Sequence, residues 1–479
     1  MGRKRLQSPF VTHSSRRAVR ALRIALMEAP DGLPPPQRGW AMFAIGLAIA
    51  MAVLDGAIAN VALPTIARDL AATPADSVWV VNAYQLVITI LLLPLASAGE
   101  IVGYRRVYRI GLAVFTLASL ACALSDSLLA LTLARVAQGV GAAGVMSVNA
   151  ALVRFIYPRR LLGRGIGVVA LVVAVSAAVG PTVASAILSV ASWPWLFAVN
   201  VPIGIATLVA AQALPRTPGA ARRFDLPSAV LNALFFGLLI VAIDSVGHGE
   251  RALLVALAIA GAAASGVALV ARQLPQASPL LPIDLLRIPL FALSIATSVC
   301  SFTAQMLAYV AIPFYFQDVL GRDAVATGLL MTPWPVAIAV MAPIAGRLAD
   351  RHHPGILGAL GLAVFAVGLA LLALLPASPT DADIVWRMAL CGAGFGLFQS
   401  PNNRALIGSA PHERSGGASG MLGTARLVGQ TTGAALVALM FGVAGDRATF
   451  WSLGTAAAIA LVAAAVSGSR LIRTHGAQR

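Results

Sequence analysis

The chain has 479 residues, of which 59% are hydrophobic and only 11% are charged, a composition outside the range of water-soluble domains. A net charge of +16 could indicate a nucleic-acid partner, but the arginines lie mainly in short loops between long apolar segments. The sequence therefore predicts an all-α membrane protein, and no nucleic-acid partner is expected.

Fourteen apolar stretches are each long enough to cross the ~30 Å hydrocarbon core as a helix. They lie at residues 41–62, 78–98, 107–127, 130–153, 165–188, 195–214, 226–246, 251–272, 289–313, 324–347, 355–376, 384–407, 417–442 and 449–470. Residues 1–39 and 471–479 are predicted to be tails, the first of them basic and then proline-rich.

The first tail lacks the apolar core and small-residue cleavage site of a signal peptide, and we expect it to be disordered. Two alternatives stay open for this segment. Arg16, Arg17, Arg20 and Arg23 fall near one helical face, which is compatible with an organellar transit peptide, and translation could start at Met27.

Loop arginines set the expected orientation of the chain. Only Arg68, Arg251, Arg322 and Arg447 fall in loops on one side, while most loop arginines fall on the other side. Because cytoplasmic loops carry the excess of arginine and lysine, both termini are predicted to be cytoplasmic. We expect a multi-pass protein of the cytoplasmic (inner) membrane, with its basic loops attracted to anionic lipids.

Residue types that the sequence lacks exclude some of the possible energy sources for transport. Its one lysine is Lys4, so no glycine-rich phosphate loop ending in Gly-Lys can be present. All six histidines fall in predicted tails or loops, which leaves no imidazole within a span. Carboxylates remain as proton carriers.

Asp55 is the one acid expected deep inside a span, in the stretch "VLDGAIANVALPTI" at residues 53–66. Insertion of such a charge costs about 2.5–3.5 kcal/mol, so we interpret Asp55 as a proton-binding site. Its expected partner is Arg135, since burial disfavours the charged carboxylate and an adjacent guanidinium favours it. A structural ion pair or a helix cap is the alternative.

Other polar residues within spans are candidates for a central cavity, although each of them could equally well bond between helices. They are Asn60, Tyr84, Gln85, Asn149, Gln305, Gln399, Asn402, Arg426 and Gln430. Arg426 and Arg387 have no evident deep acid, so snorkelling, internal hydrogen bonding and a substrate role all stay open for them. The three cysteines fall in spans and indicate neither a disulfide nor a metal site, and no cofactor is expected.

An internal repeat gives the domain organisation. An offset of 253 residues superposes several small and polar residues of spans 4 and 5 on those of spans 12 and 13, and an offset of 250 superposes "ASAGEIVGYRR" on "GRLADRHHPGI". The matching pairs include Gly139/Gly392, Gly141/Gly394, Asn149/Asn402, Gly167/Gly420 and Gly180/Gly433. We predict two six-helix bundles, 40–215 and 281–470, with a two-helix insert at 216–280.

Five motifs resemble those of the major facilitator superfamily, and within it the fourteen-helix drug:proton antiporters. They are "LDGAIANVALPTI" in span 1, "LARVAQGVGAA" in span 4, "AVGPTVAS" in span 5, "WLFAVNVPIG" at span 6 and "FGLFQSPNNRALI" in span 12. The resemblance covers nearly everything after the first tail.

The resemblance also implies two sets of residues that control access. Glu100, Gly103, Arg105 and Arg106, with their second copy at Gly346, Asp350 and Arg351, would form a charge relay that closes the inner gate. The first copy departs from the family pattern, because Ala96 stands for a glycine and Glu100 for an aspartate. Ordinary turns and topology charges are the alternative interpretation.

The fifth span has the antiporter glycine-proline motif at Gly180 and Pro181, but Ala184 and Ser185 stand where the family has two glycines. In the family this stretch seals the cavity against leak, and a simple helix kink is the alternative here.

The resemblance implies a proton-coupled exporter, not an enzyme, that moves amphipathic, cationic or lipophilic compounds by alternating access, as in multidrug efflux and antibiotic resistance. We expect it to act as a monomer. Three other functions stay open: a dedicated exporter of one endogenous metabolite, a non-transporting receptor or scaffold, and the membrane half of an ATP-driven pump.

Overall fold

The computed structural model describes residues 31–220, 223–247, 249–276, 281–411 and 414–470, and within them it contains helices and no strands. Most of the first predicted tail, including the alternative start at Met27, and the whole second tail at 471–479 lie outside the described residues. The prediction of an all-α membrane protein is confirmed.

Fourteen helices of membrane length follow one another along the described residues, and each matches one predicted span. They are α1 (Pro35–Asp69), α2 (Pro74–Val102), α3 (Tyr104–Ala123), α4 (Leu128–Ile156), α5 (Leu162–Leu188), α6 (Trp195–Ala213), α7 (Leu226–Gly247), α8 (Ala252–Gln273), α9 (Pro289–Val319), α10 (Ala324–Leu348), α11 (Pro354–Ala373), α12 (Asp381–Ser409), α13 (Ser415–Ala444) and α14 (Ala448–Gly468). All except α12 are apolar enough by themselves to be candidate spans, 13 in number. The second half of α12 is polar, with Gln399, Asn402 and Arg404 close together.

Local sequence explains where these helices begin and end. Proline stands in the first turn of α1, α9 and α11, where its missing N–H costs no hydrogen bond. Side chains of Ser127 and Thr380 cap α4 and α12 by accepting a backbone N–H. Gly103 ends α2 with a φ of 94°, in the left-handed region that favours glycine.

Alternate connections lie on the two faces of the membrane. We call the basic face the one that carries the α2–α3, α4–α5, α6–α7, α8–α9, α10–α11 and α12–α13 connections. The opposite face carries the remaining connections. Because α1 and α9 run in the same direction, both end at the opposite face.

Glycines allow two pairs of helices to pack backbone against backbone. A Cβ on Gly141 of α4 would lie 2.3 Å from the Phe115 backbone nitrogen of α3, and one on Gly394 of α12 would lie 2.5 Å from that of Phe365 in α11. Close approach of this kind is how small residues hold helices together in lipid.

Helices α7 and α8 form a hairpin that is held to the rest of the fold through α7. Asn232 of α7 donates to the Ile90 carbonyl of α2 at 2.9 Å, and Gly247 packs against Leu439 of α13. At the basic face, Asp225 joins the two ends of the hairpin by accepting from Ser228 of α7 at 2.6 Å and from Arg272 of α8 at 3.0 Å. Burial raises the pKa of Asp225, but these hydrogen bonds outweigh it and hold the pKa well below its usual range.

The hydrogen bonds that α5 makes to α10 lie toward the opposite face. Thr182 of α5 bonds to Thr332 of α10 at 2.9 Å, and Ser185 donates to the Val325 carbonyl at 2.8 Å. At the other end of α5, a Cβ on Gly163 or Gly167 would have no neighbour within 4 Å. The two groups of helices are therefore joined at one end of α5 and not at the other.

Candidate functional site

Asp55 lies two-thirds of the way along α1 and is only 2% exposed. Its carboxylate accepts three hydrogen bonds. Arg135 Nη1 of α4 bonds to Oδ2, while Gln138 Nε2 of α4 and Asn200 Nδ2 of α6 bond to Oδ1 at 2.8 and 3.0 Å. Two helices, α4 and α6, thus supply three donors to one acid of α1, and all three donors complement a negative charge.

Arg135 is fully buried and fixed from several sides. Its Nε donates to the Val80 carbonyl of α2 at 2.8 Å, and its Nη1 also donates to Gln138 Oε1 at 2.6 Å. The guanidinium carbon lies 4.1 Å from the centre of the Tyr84 ring and 5.5 Å from that of Phe197. Aromatic faces stabilise a desolvated cation, so the site holds a charge pair inside an apolar shell.

Gln138 connects this pair to α3, since its Nε2 also donates to Ser119 Oγ at 2.9 Å and Cys122 Sγ donates to its Oε1 at 3.6 Å. Arg135 Nη2 is buried and has no partner among the described residues. A buried N–H without an acceptor costs about 1–3 kcal/mol, so the network is not fully satisfied in this arrangement.

A second polar network, formed around Gln317, closes the opposite face between α1 and α9. Gln317 Nε2 donates to the Val61 carbonyl at 2.9 Å, and its Oε1 accepts from Thr65 Oγ1 at 3.1 Å and Arg68 Nη2 at 3.0 Å. Gln317 is placed there by a turn of π-helix, Tyr315–Val319, that continues α9 beyond Pro313. A single side chain of α9 therefore forms hydrogen bonds with three residues of α1.

The first gating motif contacts the segment that follows α6. A Cβ on Gly103 would lie 2.7 Å from the Thr217 carbonyl, Arg105 Nη2 donates to the Gln212 carbonyl at 2.9 Å, and the Glu100 carbonyl accepts from Ala220 at 2.7 Å. Arg106 begins α3 beside them.

The second gating motif, at the end of α10, is anchored differently. Asp350 forms an ion pair with Arg404 of α12 in which both side chains are exposed. Gly346 lies at van der Waals distance from Ser400 of the same helix, and Arg351 lies on the basic face. The first motif thus contacts the α6–α7 connection, while the second contacts α12.

The glycine-proline motif of α5 lies where α1 and α10 meet this helix. A Cβ on Gly180 would lie 2.6 Å from the Ala57 Cβ of α1. A Cβ on Gly328 of α10 would lie 2.5 Å from the Pro181 carbonyl and 2.1 Å from Ser185 Oγ. The motif contributes to the closed end near the opposite face.

The predicted cavity residues separate into two sets. Tyr84 donates to the Ala52 carbonyl at 3.3 Å, and Asn402 donates to Ser298 Oγ at 2.8 Å, so both are engaged between helices. The others make no side-chain hydrogen bond within the described residues: Asn60, Gln85, Asn149, Gln305, Gln399, Arg426 and Gln430. Arg387 instead pairs with Asp383 at 3.4 Å.

The central amides of these networks, Gln138, Asn200 and Gln317, were not among the predicted site residues. Gln138 and Asn200 both fall inside motifs of the resemblance, and their positions three residues after Arg135 and in "WLFAVNVPIG" were the available signals. Gln317 lies beyond the predicted end of span 9 at residue 313, so the sequence pattern put it in a loop.

The helices and the buried charge pair are those of a membrane transport protein, and the chain belongs to the Major Facilitator Superfamily. The model of that family matches residues 45–426 and also residues 293–472. Family and fold are those of transporters.

Relatives in bacteria cover nearly the whole chain. An "Uncharacterized transporter YebQ" of Escherichia coli is 62% identical over 444 residues, which is 92% of this chain and 97% of that protein. The "Multidrug resistance protein Stp" of Mycobacterium tuberculosis is 32% identical and is matched over 83% of this chain and 74% of its own length. The "Riboflavin transporter RibZ" of Clostridioides difficile is 29% identical over 85% of this chain and 88% of its own.

Solved transporter structures share the fold at low sequence identity. A bacterial homolog of the human lysosomal transporter Spinster, in an inward-facing and unoccupied conformation, superposes with a TM-score of 0.66 at 14% identity over 91% of this chain and 97% of that one. A POT family transporter in complex with 5-aminolevulinic acid superposes with a TM-score of 0.70 at 12% identity over 90% and 95%. The chain is thus a multi-pass transporter of bacterial inner-membrane type.

Proposed function

We propose that the protein is a proton-coupled antiporter that exports amphipathic small molecules by alternating access. The observation that carries this proposal is the buried Asp55–Arg135 pair, with three donors on one carboxylate. An intramembrane acid that must be inserted at a cost of about 2.5–3.5 kcal/mol has to be retained for a reason, and proton binding supplies one.

Alternating access needs two bodies that move, and the repeat supports them. A Cβ on Gly139 would lie 2.9 Å from the Tyr84 carbonyl oxygen of α2, and one on Gly392 would lie 2.1 Å from the Trp334 carbonyl oxygen of α10. The glycine contacts of α3–α4 and α11–α12 are related by similar sequence offsets. We therefore assign two six-helix bundles, 40–215 and 281–470, with α7 and α8 as an insert.

The proposal also assigns the basic face to the cytoplasm. In the arrangement described, hydrogen bonds between α1 or α5 and α9 or α10 lie only toward the opposite face. The cavity would then be closed to the outside and accessible from the cytoplasm. Tags in the 63–77 and 244–250 connections should react with impermeant reagents from outside, while tags at the termini should not.

Multidrug resistance and efflux proteins among the relatives support export of several compounds. A relative that is a riboflavin transporter supports the second candidate, a dedicated exporter of one metabolite. Breadth of transport across a panel of dyes would separate these two functions.

The experiment that tests the proposal is reconstitution into vesicles with an imposed pH gradient. Substrate should accumulate against its gradient on the acidic side, and its movement should drive protons the other way. Transport that is indifferent to the pH gradient and to protonophores would refute proton coupling. Dependence on added ATP would refute it in favour of a pump.

A further inference from the structure

Arg426 lies inside α13 and has no partner among the residues that the structure describes. It lies eleven residues from Ser415 at the start of α13, about 16 Å along the helix, which is farther than an arginine side chain reaches. The guanidinium therefore does not reach the start of α13 at the basic face. Its Nε is buried without a hydrogen bond, and no carboxylate of the described residues lies within ion-pair distance.

The direction of this side chain follows from its neighbours on the helix. Gly423, Leu427 and Thr431 mark the side of α13 that packs on α2, where Thr431 Oγ1 lies 3.0 Å from Thr89 Oγ1. Gly429 and Gly433 mark the side that packs on α9.

Arg426 lies between those two sides, since successive residues turn by about 100°. Gln430, four residues on, shares its direction. Both side chains are partly exposed, and neither has a partner within the described residues. They face the space between the two groups of six helices.

The other deep charges are already matched. Asp55 and Arg135 neutralise each other, and Arg387 near the start of α12 is paired with Asp383. Among these groups of the described residues Arg426 leaves one positive charge unbalanced. A cationic cargo would be repelled there, whereas an anionic group would supply the missing counter-charge and acceptors.

We propose that Arg426, with Gln430 beside it, binds the anionic group of the cargo, so that the transported class is amphipathic organic acids rather than cations. The carboxylate or sulfonate of such a molecule would accept two N–H groups of the guanidinium, and Gln430 would donate a third hydrogen bond. This assignment rests on the proposed function in that it names the charge of the cargo carried by that same transporter.

The test measures equilibrium binding to the purified full-length protein in detergent, with three probes that share one hydrophobic body. They are pyrenebutyrate, the neutral pyrenebutanol and pyrenebutyl-trimethylammonium. The parent protein should bind the acid roughly tenfold more tightly than the alcohol, and the cation more weakly than either. Equal affinities for acid and alcohol, or a preference for the cation, would overturn the proposal.

Variants test whether Arg426 causes the preference for the acid over the alcohol. Arg426→Gln should reduce the affinity for the acid to that for the alcohol while leaving the alcohol unchanged, and Arg426→Lys should retain part of the preference. Arg387→Gln is the control, since this arginine is already paired, and it should keep the full preference. An unaltered preference in Arg426→Gln would refute the assignment.

Binding at equilibrium needs no proton gradient, so this outcome is independent of coupling. Gradient-driven transport without a preference for the acid would refute the anion site alone. A preference for the acid without gradient-driven transport would refute only proton coupling.

Discussion

The first six helices and the last six enclose contrasting cores behind similar glycine contacts. Beside Gly139 and Gly141 lies a polar network in which Arg135 and Gln138 bind Asp55. The residues 253 positions after Arg135 and Gln138 are Met388 and Cys391, which lie beside Gly392 and Gly394 and are both fully buried. The ring centres of Trp334 and Phe365 lie 5.5 Å apart, as do those of Phe365 and Phe395, and the rings meet at steep angles.

This difference shows that similar helix packing can carry either chemistry. A buried ion pair is costly unless its hydrogen bonds are satisfied, and it changes when a proton arrives. Aromatic side chains packed edge to face have no charge to lose, and their contacts resist rearrangement. We infer that the first group of helices responds to protons, while the buried aromatic core of the second keeps its arrangement.

The largest effect should come from removal of the acid. Asp55→Asn keeps the size of the side chain but cannot bind a proton reversibly, so gradient-driven uptake into vesicles should be lost. The amide leaves the Arg135 charge buried without its counter-charge, at a cost of about 3–5 kcal/mol, so the protein should fold with a lower Tm. Exchange of cargo for cargo without a gradient should persist.

Met388→Leu is the matched control in the other core. A volume-conserving change there should cost less than about 1.5 kcal/mol and leave coupling intact. Gradient-driven uptake in Asp55→Asn equal to that of the parent would return Asp55 to a structural role.

A smaller effect is expected when Asp55 is kept and one of its hydrogen-bond donors is removed. Gln138→Leu removes the bond to Asp55 Oδ1 and an acceptor for Arg135, leaving polar atoms unpaired at about 1–3 kcal/mol. Gradient-driven uptake should fall about tenfold, with its pH profile displaced. Cys391→Ala, at the position 253 residues further on, should leave the pH profile unchanged; a displacement in both variants would mean that packing alone is responsible.

The site around Gln138 also shows how much of the structure the sequence alone predicts. The helices were predictable because long apolar runs permit no other structure in lipid, and the Asp55–Arg135 contact was predictable because few charges lie deep in the first six spans. Asn200 was not, since only the fold brings it to an acid 145 residues away. Amides are common inside helices, and no pattern shows which of them turn toward a charge.

The same limit applies to the cavity residues. Tyr84 and Asn402 were predicted on equal terms with Arg426, yet only the structure separates engaged side chains from those without a partner. Helix rotation, which a few degrees of packing decide, sets this difference. Gln317 was missed because helical hydrogen bonding continues past Pro313 through a π-turn, where the apolar run had already ended.

Gln317 is where the second group of helices binds the first, and its loss should shift the balance between conformations. Gln317→Ala removes three hydrogen bonds to α1, and about 1 kcal/mol would change the equilibrium roughly fivefold toward an arrangement open at the opposite face. Spin labels at Asp69→Cys and Val319→Cys should report longer distances. An unchanged distance distribution would show that α5 and α10 hold this face without Gln317.

The smallest effect should distinguish the two gating motifs on the basic face. The Asp350–Arg404 ion pair has both side chains 61% exposed, so it adds at most about 1 kcal/mol, and Asp350→Asn should leave Tm unchanged. If the pair biases the closing of this face, turnover should slow about two- to fivefold at low salt, and high salt should remove the difference.

Arg106→Ala in the first motif should act in the same direction. Glu100→Gln tests whether the longer acid of the first copy does the same work as Asp350. Equal turnover in all three variants and the parent would reduce both motifs to determinants of topology, and the two groups of helices would then differ in their cores alone.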